Sequence, residues 1–415
     1  MSPEDVDRRR FFRNFSREAV ETAATVIGAA SAIRRETVGA ATGALGFGSA
    51  VADGPATPPV AARRYADPFR LAPGTVRILD QRRLPAEAVE IECRSGEQVA
   101  FAIGDLAARG APVLGQLAAY GMALAAELSA EMKPYPRSLL LRGTGDALRA
   151  ARPDVAAVAV AVDRCLTAWL AIREPADGRE VAAAVRGVAD AVTAEAFQGL
   201  DTLRGHGAAL VPQPEGRPLE VLTIDSTGPL SGGAAGSAMG VALAIAAAGR
   251  PIHVWVSETR PSRSGARVAS PELQAFGVHS TVIADSAVGW LLRERQVDVV
   301  LTGADRIASN GDVANAAGTY PMAVLAARHL VPMYVCAPMV AVDMAVPDGS
   351  GLAIVMRPAT DLLVSAGESA PPATTDALVP LDDVTPADLV RAYVTDQGVH
   401  QGPFTAADQV GSSPG

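Results

Sequence analysis

Apolar residues follow two different spacings along the 415-residue chain, and the change falls near residue 211. Between about residues 96 and 208, apolar side chains recur mostly every three or four positions, the spacing that places them on one face of a helix. After the turn-rich segment VPQPEGRP, residues 211–218, short β-branched runs replace that pattern. The chain therefore predicts a helical region followed by a region of strands.

Six runs in the second region are predicted strands, and helical or glycine-rich segments separate them. They span residues 219–225, 252–258, 279–285, 297–303, 332–338 and 352–356. Strands that alternate with helices indicate βαβ units and a parallel sheet buried on both faces. Ligands bind beyond the carboxyl ends of the strands in such sheets, so the residues after each strand are the candidates for chemistry.

The predicted fold class is α/β, with four segments along the chain. Residues 1–66 are predicted as a helical extension and a Gly/Pro/Ala-rich linker, and residues 67–210 as a small domain of strands and a helical bundle. Residues 211–395 are predicted as the parallel-sheet domain that carries the catalytic loops. Residues 396–415 are predicted as a flexible tail.

Charge and residue usage exclude several classes of function. The net charge of −9 argues against a broad nucleic-acid surface, which needs clustered positive charge. Lys133 is the single lysine and lies in EMKPYP, which fits neither a P-loop nor Schiff-base chemistry. Three scattered cysteines and five scattered histidines lack the paired spacing of structural zinc. Catalysis is therefore expected from carboxylates, arginines and backbone dipoles.

The sequence predicts a cytoplasmic protein without a membrane segment. No apolar run reaches the ~18–20 residues that span a bilayer. The run Arg8-Arg9-Arg10-Phe11-Phe12-Arg13 is similar to a twin-arginine export signal, but the stretch after it is too polar for a good signal core. A helical extension is the prediction here, with export as the alternative.

Two predicted strand ends carry groups suited to anion binding. The first strand ends at Asp225 and leads into a glycine-rich turn that opens a helix, where backbone N–H groups can bind an anion. The glycines can equally serve only close packing of helix on sheet. After the second strand, Arg260, Arg263 and Arg267 can grip a phosphate or form a solvated loop.

A third strand end carries a candidate acid/base. Asp305 follows the fourth predicted strand and can act as acid or base if burial raises its pKa, or it can cap the next helix. Upstream, Arg109 precedes a Gly-Ala-Pro break in a helical run, and Arg152 precedes Pro153 at another helix start. Both arginines are candidate ligands or surface residues.

Together these segments resemble the methylthioribose-1-phosphate isomerase family. Its wider relatives are the ribose-1,5-bisphosphate isomerases and the regulatory subunits of translation initiation factor 2B. The matching segments keep one order over about 330 positions: LDQRRLP (79–85), ARGAP (108–112), ARPDVAAVAVAVDR (151–164), RGHG (204–207), LTIDSTG (222–228), ETRPSRSGAR (258–267), VIADSAVG (282–289), GADRIASNGDVANAAGTY (303–320) and DVTPADL (383–389). The block at 303–320 is highly specific.

The resemblance implies a Rossmann-like C-terminal domain and usually a homodimer. It implies aldose–ketose isomerisation of a sugar 1-phosphate without metal, nucleotide or other cofactor. Substrate contacts, chiefly to the phosphate, would come from the backbone at Arg109, Gly110 and Ala111 and from the Arg152 side chain. Asp305 would be the acid/base carboxylate, and Asn315 would contact the sugar.

Three positions depart from the pattern of the isomerases. Asp225 stands where they have a catalytic cysteine, Ser264 where they have a glutamine and Ala316 where they have a lysine. Ser264 is therefore a candidate substrate contact of altered chemistry.

Two functions are consistent with these departures. The first is an isomerase in which Asp225 and Asp305 face each other, so that like charge raises one pKa and one carboxyl stays protonated as the acid. The alternative is a non-catalytic sugar-phosphate sensor or a scaffold related to the initiation factor subunits.

Overall fold

The computed structural model describes residues 67–409 except 173–176, 234–235, 295 and 365–374. The predicted helical extension at 1–66 lies outside the described residues. Those that are described belong to one compact unit. No helix among them is long and apolar enough to span a membrane.

A small antiparallel sheet and five helices make up the first half of the described chain. The strands are β1 (Phe69–Ala72), β2 (Thr75–Leu79) and β3 (Glu90–Cys93). The helices are α1 (Gly96–Gly104), α2 (Ala111–Leu128), α3 (Pro134–Ala151), α4 (Ala156–Leu170) and α5 (Gly178–Leu210). Proline occupies the first turn of α2 and α3, where its missing N–H removes no helical hydrogen bond. Most residues of α2 are buried, and most of the buried ones are alanine or leucine.

Strands dominate the second half, with short helices between them. The strands are β4 (Leu219–Thr223), β5 (Ile252–Ser257), β6 (Ser280–Ile283), β7 (Val299–Thr302), β8 (Arg306–Ala308), β9 (Val313–Ala316), β10 (Met333–Cys336), β11 (Val342–Asp343), β12 (Asp382–Thr385), β13 (Ala392–Thr395) and β14 (Gly398–His400). The helices are α6 (Pro229–Gly232), α7 (Ala238–Ala247), α8 (Ser270–Ala275), α9 (Val288–Arg293), α10 (Thr319–Arg328), α11 (Thr360–Leu363) and α12 (Ala406–Gln409).

The large sheet has the order β14-β13-β10-β7-β4-β5-β6. All neighbours pair in parallel except β14, which pairs with β13 in antiparallel. Numbered along the chain, the six parallel strands read 3-2-1-4-5-6 from β6, which is the Rossmann order. The α/β prediction is therefore confirmed. The strand order reverses between β4 and β7, and the crevice at their carboxyl ends is where such folds bind ligands.

A second, four-stranded sheet of order β11-β8-β9-β12 lies beyond β7 in the chain. It forms from the specific block at 303–320 together with two later strands, and these four strands were not predicted from the sequence. Each is two to four residues long, too short for an apolar period to stand out.

Two sequence predictions are wrong in detail. The predicted strand at 352–356 makes only one isolated bridge, from Met356 to Pro380, and its Leu352 packs with Ala308 and Ala314 on the small sheet. Residues 396–409 of the predicted flexible tail are instead structured, because β14 extends the large sheet and α12 follows it. Residues 410–415 lie outside the described part.

Helix α5 joins two hydrophobic cores. Its first half packs with α2 and α4 through residues such as Val185, and its second half packs through Leu200 and Leu203 on the core of the large sheet. Gly207 permits a close approach, because a Cβ atom there would lie 2.4 Å from a methyl carbon of Val241 in α7. The two hydrophobic cores therefore meet along α5. The domain boundary predicted at residue 211 stays a prediction.

We expect Gly207→Ala and Gly205→Ala to shift stability in opposite directions. Both glycines lie inside α5, but a Cβ atom at Gly205 would meet nothing within 4 Å. Gly207→Ala should lower the free energy of unfolding by about 1–3 kcal/mol through overpacking. Gly205→Ala should raise it by roughly 0.5–1 kcal/mol through helix propensity. Urea unfolding measures both, and equal shifts in the two variants would contradict the packing argument.

Candidate active site

Two carboxylates follow the two central strands of the large sheet. Asp225 comes two residues after β4, and Asp305 comes three residues after β7. Because β4 and β7 are neighbours in the sheet, both residues lie at the point where the strand order reverses. Their side chains are 21% and 17% exposed, so both carboxylates can be reached from solvent.

Asp225 is held by donors from two other segments. Nη1 of Arg109 donates to Oδ1 of Asp225 at 3.2 Å, and the Ser264 hydroxyl donates to the same oxygen. The backbone of Asp225 has φ +60°, and its N–H donates to Oγ1 of Thr259 at 2.9 Å. Arg109 and Ser264 thus hold one oxygen of this carboxylate in place.

Asp305 is tied to both halves of the chain. Its N–H donates to the Ala314 carbonyl at 3.0 Å, and its carbonyl accepts from the Ala156 N–H at 3.3 Å. Its side chain accepts one hydrogen bond, from Nη2 of Arg152 to Oδ2 at 3.2 Å. The start of α4 and strand β9 therefore fix where this carboxyl group sits.

Burial raises the pKa of Asp305 to about 6. The charge of Arg152 opposes this shift, whereas the carboxylates of Asp154 and Asp225 add to it. Asp225 thus acts electrostatically on Asp305 across the crevice.

Arg152 is buried and shared between carboxylates. It follows α3 directly, its side chain is 5% exposed, and its Nε donates to both oxygens of Asp154 at 2.9 Å. Nη2 donates to Asp154 at 2.5 Å as well as to Asp305. Asp382 of β12 lies beside Asp154, and its Oδ2 has no hydrogen-bond partner among the described residues.

The structure does not bring Arg109 and Arg152 to one shared acceptor, because each donates to a different carboxylate. Gly110 has φ +90° before α2, and a Cβ atom there would lie 2.2 Å from the Ser231 carbonyl, so this turn packs on the glycine-rich segment after β4. The adjoining Ala111 is buried as the first residue of α2.

Asn315 is committed to internal contacts. It is 5% exposed, and its side-chain nitrogen donates to Oγ1 of Thr302 and of Thr319, both at 2.9 Å. Ser264 is 3% exposed and bonded to Asp225. Asn315 and Ser264, both predicted substrate contacts, therefore mainly hold other residues of the crevice in place.

Besides Asp154, three further carboxyl groups belong to the site and were not predicted from the sequence: those of Glu272, Asp285 and Asp382. Glu272 is fully buried, accepts from the Leu230 N–H at 2.7 Å, and burial raises its pKa to about 8. Asp285 accepts from the N–H groups of Thr259 and Arg260 at 2.7 Å and so shapes the turn that contacts Asp225. Asp285 follows β6, so the strand-end rule could have found it. Glu272 and Asp382 carry no such signal.

Asp154, Asp305 and Asp382 are the one group of carboxylates within the described ranges with the spacing of a metal site. One oxygen from each lies within 4.8 Å of the others. The guanidinium of Arg152 already bridges two of the three. We therefore infer that the positive charge of Arg152 balances the negative charge of these carboxylates.

Comparison with known proteins agrees with this architecture. The model of the initiation factor 2 subunit family matches residues 107–402, more than two thirds of the chain. The chain belongs to the initiation factor 2 subunit family.

Within this family the chain is similar to proteins with two different names. It is 42% identical over 329 residues to the methylthioribose-1-phosphate isomerase of Anaeromyxobacter sp. (strain Fw109-5), covering 79% of this chain and 92% of that one. The 5-methylthioribose 1-phosphate isomerase of Pyrococcus horikoshii OT3 superposes with a TM-score of 0.71 at 28% identity, covering 86% and 98%. The delta subunit of translation initiation factor eIF-2B from A. fulgidus superposes with a TM-score of 0.67 at 32% identity, covering 81% and 96%.

We expect Asp305→Asn to change how stability depends on pH. The pKa of Asp305 is about 6 in the folded chain and near 3.8 in the unfolded chain, so the folded state binds more protons between these values. Ionisation therefore costs stability as pH rises from about 4 to 7, by roughly 2–3 kcal/mol at about 1.4 kcal/mol per pKa unit. Asparagine cannot ionise and avoids this loss.

Urea unfolding at pH 4.5 and pH 8 measures the effect in the wild type, in Asp305→Asn and in Asp388→Asn, an exposed control on the protein surface. The stability of Asp305→Asn relative to wild type should rise between the two pH values, while the control should follow the wild type. A parallel pH dependence in all three proteins would contradict a raised pKa at Asp305.

Proposed function

We propose that the protein is an aldose–ketose isomerase that acts on a sugar 1-phosphate, with Asp305 and Asp225 as its acid and base. The observation that carries the proposal is the pair of differently held carboxylates where the strand order reverses. The relatives named as methylthioribose-1-phosphate isomerases support the reaction class.

The chemistry needs one proton donor and one acceptor. Opening the sugar ring breaks the bond from C1 to the ring oxygen and places a proton on that oxygen. The hydrogen on C2 then moves to C1 with its bonding electron pair, as a hydride, and the C2 hydroxyl releases its proton as the ketone forms. Asp305, whose pKa is about 6, supplies the first proton. Asp225, which Arg109 and Ser264 hold by hydrogen bonds, accepts the second.

The substrate contacts follow from the same proposal. The side chain of Arg152 and the backbone at Arg109, Gly110 and Ala111 hold the phosphate end, and Ser264 and Asn315 line the sugar. Arg152 would have to share its guanidinium between the carboxylates of Asp154 and Asp305 and the phosphate. We propose further that the protein works as a homodimer, which light scattering on the purified chain tests.

We expect Asp305→Asn to abolish turnover with binding retained. Loss of a positioned acid should lower kcat about 10²–10⁴-fold, with little change in the Kd of the sugar phosphate. The assay is conversion of methylthioribose 1-phosphate, ribose 1-phosphate and deoxyribose 1-phosphate to their ketoses, with Asp388→Asn as the matched control. The proposal fails if the wild type binds these compounds normally and converts none of them.

The pH profile gives an independent prediction. Because Asp305 must carry its proton, kcat/KM should fall as pH rises through about 6. A profile that instead rises through this range would assign Asp305 the role of base.

A second candidate function is a sugar-phosphate sensor or scaffold without catalysis. The likeness to the A. fulgidus eIF-2B delta subunit favours it, as does the commitment of Arg152 to Asp154. In that case the sugar phosphate would bind and Asp305→Asn would have no activity to lose.

A further inference from the structure

Arg152 divides its hydrogen bonds unequally between two carboxylates. Three contacts, two from Nε at 2.9 Å and one from Nη2 at 2.5 Å, join it to Asp154. A single contact of 3.2 Å, from the same Nη2, joins it to Asp305. The Asp154 side chain is 0% exposed, so it cannot reach a substrate.

We propose that Asp154 is a positioning residue: by holding the fork of Arg152, it prevents that guanidinium from pairing fully with Asp305 and so leaves Asp305 able to keep a proton. The catalytic use of the Asp305 proton rests on the proposed function. The arrangement of Asp154, Arg152 and Asp305 does not depend on that function.

The geometry of guanidinium pairing supports this assignment. A free arginine fork makes two parallel hydrogen bonds to a carboxylate and strongly favours its ionised form. Here Asp154 accepts hydrogen bonds from Nε and Nη2 of Arg152, and Asp305 accepts one longer hydrogen bond from Nη2. Without the charge of Asp154, Asp305 would be the anionic partner left within reach of Nη2 of Arg152.

The other charged groups around Asp305 do not replace Asp154. Arg109 and Asp225 face it from the crevice, and Asp382 faces it from β12. Arg109 is already paired with Asp225. Among the described residues, Arg152 is the only cation that hydrogen-bonds the cluster of Asp154, Asp305 and Asp382.

The pKa values of Asp154 and Asp382 are shifted in opposite directions, which provides a matched control. Burial raises the pKa of Asp154, but the adjacent Arg152 outweighs burial and leaves that pKa below its ordinary value. Burial and the charge of Asp305 hold the pKa of Asp382 well above its ordinary value. At neutral pH, Asp154 therefore carries a charge that Asp154→Asn removes, whereas the raised pKa of Asp382 favours its neutral form, which Asp382→Asn imitates.

The test compares Asp154→Asn with Asp382→Asn by two measurements. The first is the ¹³C chemical shift of the Asp305 carboxyl against pH in the free protein, assigned with Asp305→Asn. The second is the pH dependence of kcat/KM on the sugar 1-phosphate. In Asp154→Asn we expect both midpoints to fall by about one pH unit or more, the shift typical of a carboxylate that gains a close cation. In Asp382→Asn both midpoints should stay near the wild-type value.

The outcomes separate this inference from the proposed function. An Asp305 midpoint that is unchanged in Asp154→Asn, or that moves equally in Asp382→Asn, overturns the positioning role. If no sugar phosphate is turned over, the proposed function fails, and the carboxyl titration still decides the role of Asp154. Circular dichroism and thermal melting verify folding. Asp154→Ser supplies the same loss of charge in a smaller side chain if the asparagine variant does not fold.

Discussion

The buried guanidinium of Arg152 is the interaction on which the site depends. A charge with 5% of its side chain exposed must be paired, because an unpaired buried charge costs several kcal/mol. Its partners come from both halves of the chain: Asp154 begins the connection to α4, and Asp305 follows β7. The N–H of Ala156 also donates to the Asp305 carbonyl, so the helices fix a carboxyl group at the edge of the sheet. The position of the Asp305 carboxyl group is therefore set by packing between the two halves.

The two strand-end carboxylates differ because their neighbours differ. Asp225 faces Arg109 and Ser264, which donate to it, whereas Asp305 faces a guanidinium already engaged by Asp154. In the proposed function, these two chemically identical side chains take the roles of base and acid in one crevice. One relative is named as an isomerase and another as an initiation factor subunit, although both share this fold. The function must therefore be argued from the side chains of the site and not from the fold.

Most of the large sheet could be predicted from the sequence because its strands are short apolar runs bounded by turns. Five of the six predicted runs correspond to parallel strands, namely β4, β5, β6, β7 and β10. The run at 352–356 is equally apolar but packs Leu352 on the small sheet and makes a single bridge. Local pattern cannot separate these cases, since it reports that a segment is buried and not which partner it pairs with. The four strands of the small sheet were missed because each is only two to four residues long, too short for an apolar period to stand out.

The sequence by itself determined the class of the fold and the positions of Asp225 and Asp305, because periodicity locates the strands and parallel sheets present ligands at the strand ends. It also identified Arg109 and Arg152 as candidates. Only the tertiary structure decided which carboxylate each arginine meets, across 116 residues for Arg109 and Asp225 and 153 for Arg152 and Asp305. It likewise decided that Asp154 and Asp382, which the sequence did not single out as site residues, lie beside Asp305. The reason is that charge and burial act through space, and neither the distance between two carboxylates nor the water around them is encoded in the local spacing of residues.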